Sequence, residues 1–425
     1  MVVAADTLLL LTTGLPIPAR FSSLVPVTLL FGPPVYLLGF ISPYAAELST
    51  KETTGNAAGH VYALGTVGSI IGAFATTFFL IPSFSVTLVG VLFGIILILA
   101  ALRVSLPDIQ PQTVSLILLA SILLVGAVSV NATSLRVDGE VVYETQTPYQ
   151  QLRVVDDDGI RTLYLGGQRH SAMELDDPYQ HVFDYTRYFH LPLLMREDID
   201  RVLFIGGGGF TGPKIFAKKY NFTIDVVEID PVVIRVAKRY FGVEESSQMN
   251  IYNADGRQFL QSTNRTYDVI ILDAYQKDKV PFHLTTREFM QLAKQRLDAN
   301  GILLANLIAA PSGAGSKFFR AEYKTMAAVF PTVYAFPTSR TNFVQNIELI
   351  ATKRPDRLSR EALLKRNRRR DIGINLSYEI SFYRTNVKTG DVPILRDDRA
   401  PITRLLEPMI GQKYVIEQNR TRTAA

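Results

Sequence analysis

Four long apolar runs fill most of the first 131 residues, and they limit the possible folds more than any other feature of the chain. The runs span residues 24–46, 61–81, 85–102 and 113–130. Each is close to the ~20 residues that a helix needs to cross a hydrocarbon core of ~30 Å. Few charged side chains interrupt this part of the chain: Asp6, Arg20, Glu47, Lys51, Glu52, Arg103 and Asp108. We therefore predict an α-helical transmembrane bundle of about four helices over residues 1–131.

Small residues in the second run favour close packing between helices. Gly65, Gly68, Ser69 and Gly72 give it a face without large side chains, and such faces let helices approach each other in lipid. Buried helices of a soluble protein are the alternative. Four such runs in succession favour the membrane.

The number of crossings sets the predicted location. Four crossings place both chain ends on one side of the membrane, and we place the soluble part in the cytoplasm because it would draw on cytosolic metabolites. We thus expect a multi-pass protein of the cell membrane, with lipid as a partner. Residues 7–18 are too short for a secretory signal and lack a preceding basic region. They look like the remnant of a fifth helix, so we expect the natural chain to begin further upstream.

The composition excludes several kinds of chemistry. The 425 residues include no cysteine, which excludes disulfides, thiolate catalysis and zinc sites with cysteine ligands. The five histidines are scattered, and we expect no metal site. The net charge of +5 is modest for this length and gives no reason to expect nucleic acid as a partner.

Beyond the apolar part, the pattern of strands and helices predicts a soluble region. Residues 132–195 begin β-rich, with a DDDG turn between two strands over 151–167 and a helix over 178–195. Further on, strands alternate with helices, which is typical of a parallel sheet covered by helices on both faces. We assign this α/β domain to residues 196–350 and a basic C-terminal extension to 351–425.

Four consecutive strands of the α/β domain end in glycines or acids. The first ends in residues 206–209, the second in Glu228 and Asp230, the third in Asp255 and Gly256, and the fourth in Asp273. The carboxyl ends of parallel strands lie at one edge of the sheet, where the ligands of such folds bind. Capping of the following helix is the alternative for any single acid, but the four together predict a binding site.

The glycine-rich turn after the first of these strands predicts a nucleotide-like ligand. Gly207, Gly209 and Gly212 fit the GxGxxG pattern, and the acid Glu228 follows. Such an acid binds ribose hydroxyls in a nicotinamide site and in an S-adenosyl site alike. Asp255 favours the S-adenosyl group, because an acid at the end of the third strand accepts a hydrogen bond from the adenine amino group.

Six stretches of the soluble region occur together in one known family. They are TPYQQLRVV (147–155), RYFHLPLL (187–194), VLFIGGGG (202–209), VVEIDPVVI (226–234), NADGRQFL (253–260) and YDVIILDAY (267–275). Through them, residues 146 to about 335 resemble the spermidine synthases, the aminopropyltransferases that use decarboxylated S-adenosylmethionine. LLGFISPYAAEL (37–48) and ALGTVGSIIGAF (63–74) resemble the subgroup in which this domain is fused to a hydrophobic bundle. The resemblance implies a Rossmann-like α/β fold of the S-adenosylmethionine methyltransferase type.

The resemblance also assigns roles to the residues at the strand ends. The residues of the nucleoside site would be Gln150 at the thioadenosine, Glu228 at the ribose hydroxyls, Asp255 and Gly256 at the adenine, and Gly206, Gly207, Gly208 and Asp230 around them. Asp273 would be the catalytic base. Aminopropyl transfer is the attack of a neutral amine on the carbon next to a sulfonium, so a carboxylate must take the proton of the amine. The sulfonium is a good leaving group, and no metal is required.

On the side of the pocket that would hold the amine, the sequence departs from the family pattern. The glycine loop of the family usually carries an acid where this chain has Gly209, and a polyamine-contacting histidine is replaced by Tyr185. The second acid of the usual DSxD is missing at Gln276, and Asp278 is the nearest substitute. Tyr185, Tyr275 and Asp278 are therefore the predicted contacts of the acceptor amine.

Three functions follow from these features. The first is a membrane-anchored aminopropyltransferase of polyamine biosynthesis, which moves an aminopropyl group from decarboxylated S-adenosylmethionine to an amine such as putrescine, with a homodimer considered as its assembly. The second is an S-adenosylmethionine-dependent methyltransferase, because Gly209 would leave room for the carboxylate of that ligand. The third is a membrane sensor or transporter that only binds a nucleoside. The retained Asp273 favours the first.

Three further segments carry alternatives. The loop over residues 277–286 contains His283 and is either a lid over the site or an ordinary surface loop. The basic run over residues 364–371 is either a solvated helix end or a contact with anionic lipid headgroups. Asp397 and Asp398 either serve the acidic pocket or cap the helix that follows.

Overall fold

The chain divides into two compact units, Met1–Val137 and Asp138–Ala425. The computed structural model describes residues 24–48, 54–81, 84, 86–105, 138–277 and 279–418. Three predictions fall outside the described residues: the fourth apolar run over 113–130, the helix remnant over 7–18, and Asp278 as an amine contact.

The described part of the first unit consists of apolar helices. They are α1 (Leu24–Gly39), α2 (Ile41–Leu48), α3 (Thr54–Ala75), which continues as a π-helical turn (Thr76–Leu80), and α4 (Val86–Ser105). By length and composition, the stretches Val27–Ala45 and Ala58–Leu80 are able to cross a membrane, and Leu88–Ala100 is a shorter apolar helix. Large side chains on them are exposed, such as Tyr36 at 70% and Leu64 at 74%. An apolar surface of this kind is typical of a site that lipid or another protein covers.

The second unit begins with a four-stranded antiparallel sheet in the order β1-β2-β3-β4. The strands are β1 (Glu140–Gln146), β2 (Gln151–Asp157), β3 (Ile160–Leu165) and β4 (Gln168–Glu174). Asp158 (φ 48°) and Gly159 (φ 74°) join β2 to β3 in left-handed conformations, which match the twist of a two-residue hairpin. The prediction of two strands joined by a DDDG turn is confirmed.

The predicted helix over residues 178–195 is wrong in its first part. Phe183 is extended (φ −94°, ψ 127°), a 3₁₀ helix spans Asp184–His190, and α5 (Leu191–Met195) is a short α-helix. The reason lies in a distant segment: Phe183 forms a β-bridge with Gln418, and the Asp184 N–H donates to Glu417 O at 3.0 Å. These backbone hydrogen bonds replace the helical ones at the start of the segment.

A seven-stranded sheet forms the centre of the second unit, in the order β10-β11-β9-β8-β5-β6-β7. The strands are β5 (Arg201–Ile205), β6 (Thr223–Glu228), β7 (Met249–Asn253), β8 (Tyr267–Leu272), β9 (Leu297–Ala309), β10 (Thr332–Pro337) and β11 (Gln345–Thr352). Strands β5 to β9 pair in parallel, as predicted. Strand β11 is antiparallel to both β9 and β10, an arrangement that the sequence pattern did not indicate.

Helices cover both faces of this sheet, which is the Rossmann-like α/β arrangement expected. They are α6 (Thr211–Lys219), α7 (Pro231–Tyr240), α8 (Gly256–Ser262), α9 (Arg287–Arg296), α10 (Lys317–Ala327), α11 (Arg360–Arg369), α12 (Ser377–Ser381) and α13 (Ile402–Leu406). Short 3₁₀ helices span Phe282–Leu284, Ala314–Ser316 and Glu407–Met409. Alternate residues of β8 enter two separate cores, Val269 and Ile271 on one side and Ile270 and Leu272 on the other. A strand buried on both faces reads as a continuous apolar run.

Part of the basic run supports the fold instead of facing solvent or lipid. Arg366 donates a hydrogen bond to Leu194 O at 3.0 Å, and Arg370 donates to Leu193 O at 2.9 Å. These carbonyls lie at the end of α5, where backbone oxygens lack helical partners. Arg366 and Arg370 therefore correct both interpretations of the basic run: they neither lie at a solvated helix end nor contact lipid headgroups, because they bind backbone oxygens of α5.

The interpretation of Asp397 is corrected in the same way. Its Oδ1 accepts hydrogen bonds from Arg257 Nη1 at 2.8 Å and from Thr286 Oγ1 at 2.6 Å. Asp397 therefore ties the start of α8 to the start of α9, and it neither serves the acidic pocket nor caps the following helix. Asp398 is exposed.

Candidate active site

A cavity of about 360 Å³ lies where the carboxyl ends of β5, β6, β7 and β8 meet. Its lining includes every residue predicted for the nucleoside and for the base: Gln150, Gly206, Gly207, Gly208, Glu228, Asp230, Asp255, Gly256 and Asp273. The volume is in the range of small-molecule sites. The structure thus brings together residues that come from five separate segments of the chain.

The glycine turn after β5 packs directly against the end of β8. Gly206 has a φ of +99°, and a Cβ there would lie 2.1 Å from Asp273 O. Glycine adopts this conformation without strain. A Cβ at Gly207 would lie 2.5 Å from the ring of Phe210. The close approach of the two backbones brings Asp273 to the wall of the cavity.

Glu228, at the end of β6, holds the glycine turn in place. Its Oε2 accepts hydrogen bonds from the Gly207 N–H (2.8 Å) and the Gly208 N–H (3.3 Å), and its Oε1 accepts from the Asp230 N–H (2.9 Å). Burial raises the pKa of Glu228, and these three hydrogen bonds oppose the rise. Asp230 caps α7 through the Val232 N–H at 2.8 Å, and its Oδ2 is buried with no partner among the described residues. Carboxylate oxygens in this position suit the hydroxyls of a ribose, which are hydrogen-bond donors.

Asp255 is held by α8 on one side and by the loop over residues 277–286 on the other. Its Oδ1 accepts hydrogen bonds from the N–H groups of Arg257 and Gln258, both at 3.0 Å. Its Oδ2 lies 2.9 Å from Nε2 of His283. His283 lines the cavity together with other residues of the same loop. This loop is therefore a wall of the site and not an ordinary surface loop.

Asp273 follows β8 and lies half-buried at the cavity wall. Burial raises the pKa of Asp273 to about 6; a hydrogen bond from Asn306 opposes the rise, and the charge of Glu228 adds to it. Asn306 Nδ2 donates to Asp273 Oδ1, Asn346 Nδ2 donates to Asn306 Oδ1, and Tyr414 OH donates to Asn346 Oδ1, each at 2.8 Å. This chain of hydrogen bonds orients the carboxylate. A pKa near 6 suits a general base that works at neutral pH.

A second, smaller cavity of about 20 Å³ also borders Asp273. The other residues that line it are Gln168, Arg169, His170, Tyr185, Tyr275, Asn306, Ile308, Asn346 and Tyr414. Tyr185 OH donates to His170 O at 3.1 Å, and Tyr275 OH lies 2.9 Å from Leu284 O. Tyr185 and Tyr275, two of the three predicted amine contacts, thus lie beside the predicted base.

Comparison with known proteins decides the family. A family model for the spermine/spermidine synthase domain matches residues 183–344. The polyamine aminopropyltransferase of Vibrio vulnificus is 33% identical over 205 residues, which cover 46% of this chain and 67% of that relative. The chain belongs to the polyamine aminopropyltransferase family. Members of this family are transferases, so the chain is an enzyme of that class.

Two further matches agree with this membership. The polyamine aminopropyltransferase of Chromobacterium violaceum is 28% identical over 221 residues, which cover 51% of this chain and 82% of that relative. The crystal structure of a probable spermidine synthase from Corynebacterium glutamicum matches with a TM-score of 0.50 and 19% identity, over 63% of this chain and 99% of that one. At this identity the structural match shows the fold of the aminopropyltransferase domain and nothing further.

In the glycine loop, this aminopropyltransferase has Gly209 at the position where we expect an acid from its family. The Gly209 N–H donates to Ser171 Oγ at 2.9 Å. A Cβ at position 209 would lie 2.8 Å from Ser171 Cβ and 3.2 Å from the ring of Phe241. Ser171, on β4, therefore fills the space where a side chain would begin. Position 209 therefore faces Ser171 and Phe241 and is not among the residues that line the cavity.

Sequence reasoning missed several residues of this aminopropyltransferase site. Asn306 carried a signal, because it is a single amide within the apolar run GILLANLI, and a buried amide needs a hydrogen-bond partner. Asn346 lies in a strand whose antiparallel pairing was not predicted. Tyr414 gave no signal, because its position depends on a β-bridge to the distant Val344.

Proposed function

We propose that this chain transfers an aminopropyl group from decarboxylated S-adenosylmethionine to an amine such as putrescine, as a step of polyamine biosynthesis. Membership in the polyamine aminopropyltransferase family supports the reaction class. One observation carries the assignment to this site: Asp273 borders both the large and the small cavity, and its pKa is raised to about 6. This position and this pKa support Asp273 as the base at the point where a nucleoside donor and an amine acceptor would meet.

The large cavity suits the donor in its charge. Glu228, Asp230, Asp255 and Asp273 line it, against Lys279 as the single lysine or arginine among the described lining residues. Decarboxylated S-adenosylmethionine carries a sulfonium and an ammonium but no carboxylate, so acidic surroundings attract it. In this arrangement Glu228 binds the ribose hydroxyls, and Asp255 accepts a hydrogen bond from the adenine amino group.

The transfer needs a proton acceptor and a neutral nucleophile. The acceptor amine lies beside Asp273 and gives one proton to its carboxylate. The nitrogen lone pair then attacks the donor carbon next to the sulfur. The carbon–sulfur bond breaks, its electron pair neutralises the sulfonium, and methylthioadenosine leaves. Asn306 keeps the Asp273 carboxylate oriented during this step through its 2.8 Å hydrogen bond.

A turnover assay tests the proposal. Detergent-purified full-length protein with decarboxylated S-adenosylmethionine and putrescine should release methylthioadenosine, and Asp273→Asn should slow the release by at least about 100-fold. Asp356→Asn is a matched control, since Asp356 lies outside both cavities and is exposed. A protein that releases no methylthioadenosine with any of several amines would contradict the proposal. Calorimetry that compares the affinities for the two sulfonium ligands distinguishes the aminopropyltransferase from the methyltransferase alternative. The methyltransferase requires intact S-adenosylmethionine to bind better than the decarboxylated form.

We also propose that residues 1–131 anchor the enzyme in the cell membrane as a multi-pass bundle, with the parts over residues 132–195, 196–350 and 351–425 in the cytoplasm. Two helices that are long and apolar enough to cross a membrane support the anchor. Because the chain has no cysteine, a single Asp356→Cys substitution reports the side on which the soluble part lies. A membrane-impermeant maleimide should label it only after cell lysis. Labelling of intact cells would place this part outside. The homodimer stays a prediction of the sequence.

A further inference from the structure

One buried carboxyl group near the site has no hydrogen-bond partner among the described residues. Glu322, Glu348 and Glu379 are the glutamates of the described residues with a relative exposure of 0%. Glu379 accepts a hydrogen bond from Arg187 at 2.6 Å, and Glu322 lies 3.3 Å from Tyr275 OH. Neither oxygen of Glu348 has a hydrogen-bond partner among the residues that the structure describes. Burying a polar group without a partner costs free energy, so Glu348 does not serve the stability of the fold.

Glu348 lies in the same row of the sheet as the proposed base. On β11, Glu348 stands directly opposite Asn306 of β9. Ala305 of β9 pairs with Leu272 of β8. The next residues along these two strands, Asn306 and Asp273, therefore also lie side by side. Directly opposed residues project from the same face of a sheet, and the hydrogen bond between Asn306 and Asp273 agrees with this placement. Two strand spacings put the backbones of Glu348 and Asp273 roughly 10 Å apart.

The neighbours of Glu348 form the wall of the small cavity. Asn306 stands opposite it, and Asn346 lies two residues earlier on the same face of β11. Tyr185 and Tyr414 line the cavity as well. Burial raises the pKa of both phenols, and the charge of Glu348 contributes to the rise. The cavity of about 20 Å³ accommodates one water-sized group, which is the size of an ammonium head.

We propose that Glu348 is a binding residue for the acceptor, and that its carboxylate pairs with the protonated amine in the small cavity beside Asp273. The inference rests on the proposed function and adds the group that recognises the acceptor as a cation. The second acid of the family's DSxD, on the acceptor side, is missing at Gln276. Glu348 supplies a negative charge from β11 in its place.

The electrostatics of Glu348 fit this role. Burial raises the pKa of Glu348 well above its usual value, and the charge of Asp273 raises it further. The group is therefore neutral without a ligand, because a buried carboxylate with no counter-charge is strongly unfavourable. An ammonium beside it supplies both the opposite charge and hydrogen-bond donors. Binding of the ammonium is thus coupled to ionisation of Glu348, whose proton is released to solvent.

The charge of Glu348 is needed before and after the transfer. The ammonium gives one proton to Asp273, the nitrogen lone pair forms the new carbon–nitrogen bond, and the electron pair of the carbon–sulfur bond goes to sulfur. The product nitrogen carries a positive charge again, still near Glu348. An interaction that is equally strong in the bound substrate and in the transition state lowers KM and leaves kcat nearly unchanged.

Steady-state kinetics of Glu348→Gln and Glu379→Gln in the full-length enzyme test the inference. With E348Q, the KM for putrescine should rise about tenfold or more, the usual effect of losing a charged hydrogen bond. The kcat and the KM for decarboxylated S-adenosylmethionine should change little, and the melting temperature should not fall, since no partner is lost. With the control E379Q, the melting temperature should fall because Arg187 loses its buried carboxylate partner, while the KM for putrescine stays the same.

Two results would overturn the role of Glu348. One is an unchanged KM for putrescine in E348Q; the other is a fall in its melting temperature as large as that of E379Q, which would reveal a structural role. A wild-type enzyme without turnover on any amine would overturn the proposed function instead. In that case, calorimetric titration of putrescine into the wild type and E348Q decides: weaker binding to the variant supports the inference, and equal affinity overturns it.

Discussion

His283 Nε2 lies 2.9 Å from Asp255 Oδ2, and this contact ties the loop over residues 277–286 to the carboxylate expected to bind adenine. The other oxygen of Asp255 is held by backbone N–H groups of α8, so the carboxylate is fixed from two sides. Each carboxylate oxygen has two lone pairs. The adenine amino group and His283 are therefore able to share Oδ2, and the loop remains attached when the donor binds.

Replacement of His283 by alanine should weaken donor binding. Without the contact to Asp255, the loop is less restrained and the carboxylate loses one of its two supports. We expect the KM for decarboxylated S-adenosylmethionine to rise several-fold, in line with the loss of about 1 kcal/mol for one hydrogen bond, and the KM for putrescine to stay nearly constant. His60→Ala, in the first unit, is a control. Equal donor KM values for H283A and the wild type would rule out a role of this contact in donor binding.

The activity should depend on pH through Asp273. Burial raises the pKa of Asp273 to about 6, and only its carboxylate form accepts the proton of the amine. The value of kcat/KM for putrescine should therefore fall as the pH drops through about 6, and this fall is the acidic limb of the pH profile. Asp273→Asn should lower kcat by at least about 100-fold and abolish this acidic limb, while the donor still binds. A wild-type profile that stays flat from about pH 7 to about pH 5 would contradict the role of Asp273 as a general base.

Removal of the Asn306 amide should shift the acidic limb. The hydrogen bond from Asn306 lowers the pKa of Asp273 and so opposes the effect of burial. In Asn306→Ala the pKa of Asp273 should be higher, and kcat/KM should begin to fall at a higher pH than in the wild type. Asn221→Ala is the matched control, because Asn221 binds Gln248 away from the site. An acidic limb at the wild-type position in N306A would show that this bond does not tune the base.

The wall of the large cavity was largely predictable because its glycines and acids lie at or just after the ends of strands, whereas Gln150 precedes β2. Glu228 and Asp255 come after apolar runs and before helices that they or their neighbours cap, so the local sequence alone places them at one edge of the sheet. The proposed amine side is assembled differently. Glu348 and Tyr414 reach it through the antiparallel pairing of β11 with β9 and through a bridge to the C-terminal segment.

Contacts of that kind have no local sequence signature. The same cause explains the wrong helix over residues 178–195, where Phe183 pairs with the C-terminal segment. Backbone pairing between segments far apart in the chain overrides the local preference for a helix. The sequence pattern thus predicted the elements that follow one another along the chain, and it failed where the C-terminal segment returns to the site.

Gly209→Ala should destabilise the enzyme, because the new Cβ would lie 2.8 Å from Ser171 Cβ. Overpacking of this kind costs roughly 1–3 kcal/mol, which thermal unfolding would show as a lower melting temperature. Ser171→Gly in the same chain makes room for the methyl group, although it removes the acceptor for the Gly209 N–H. The double variant should therefore be more stable than the sum of the two single effects. Gly390→Ala is the matched control, since a Cβ there meets nothing within 4 Å. Strict additivity of the two changes would mean that Ser171 does not exclude a side chain at position 209.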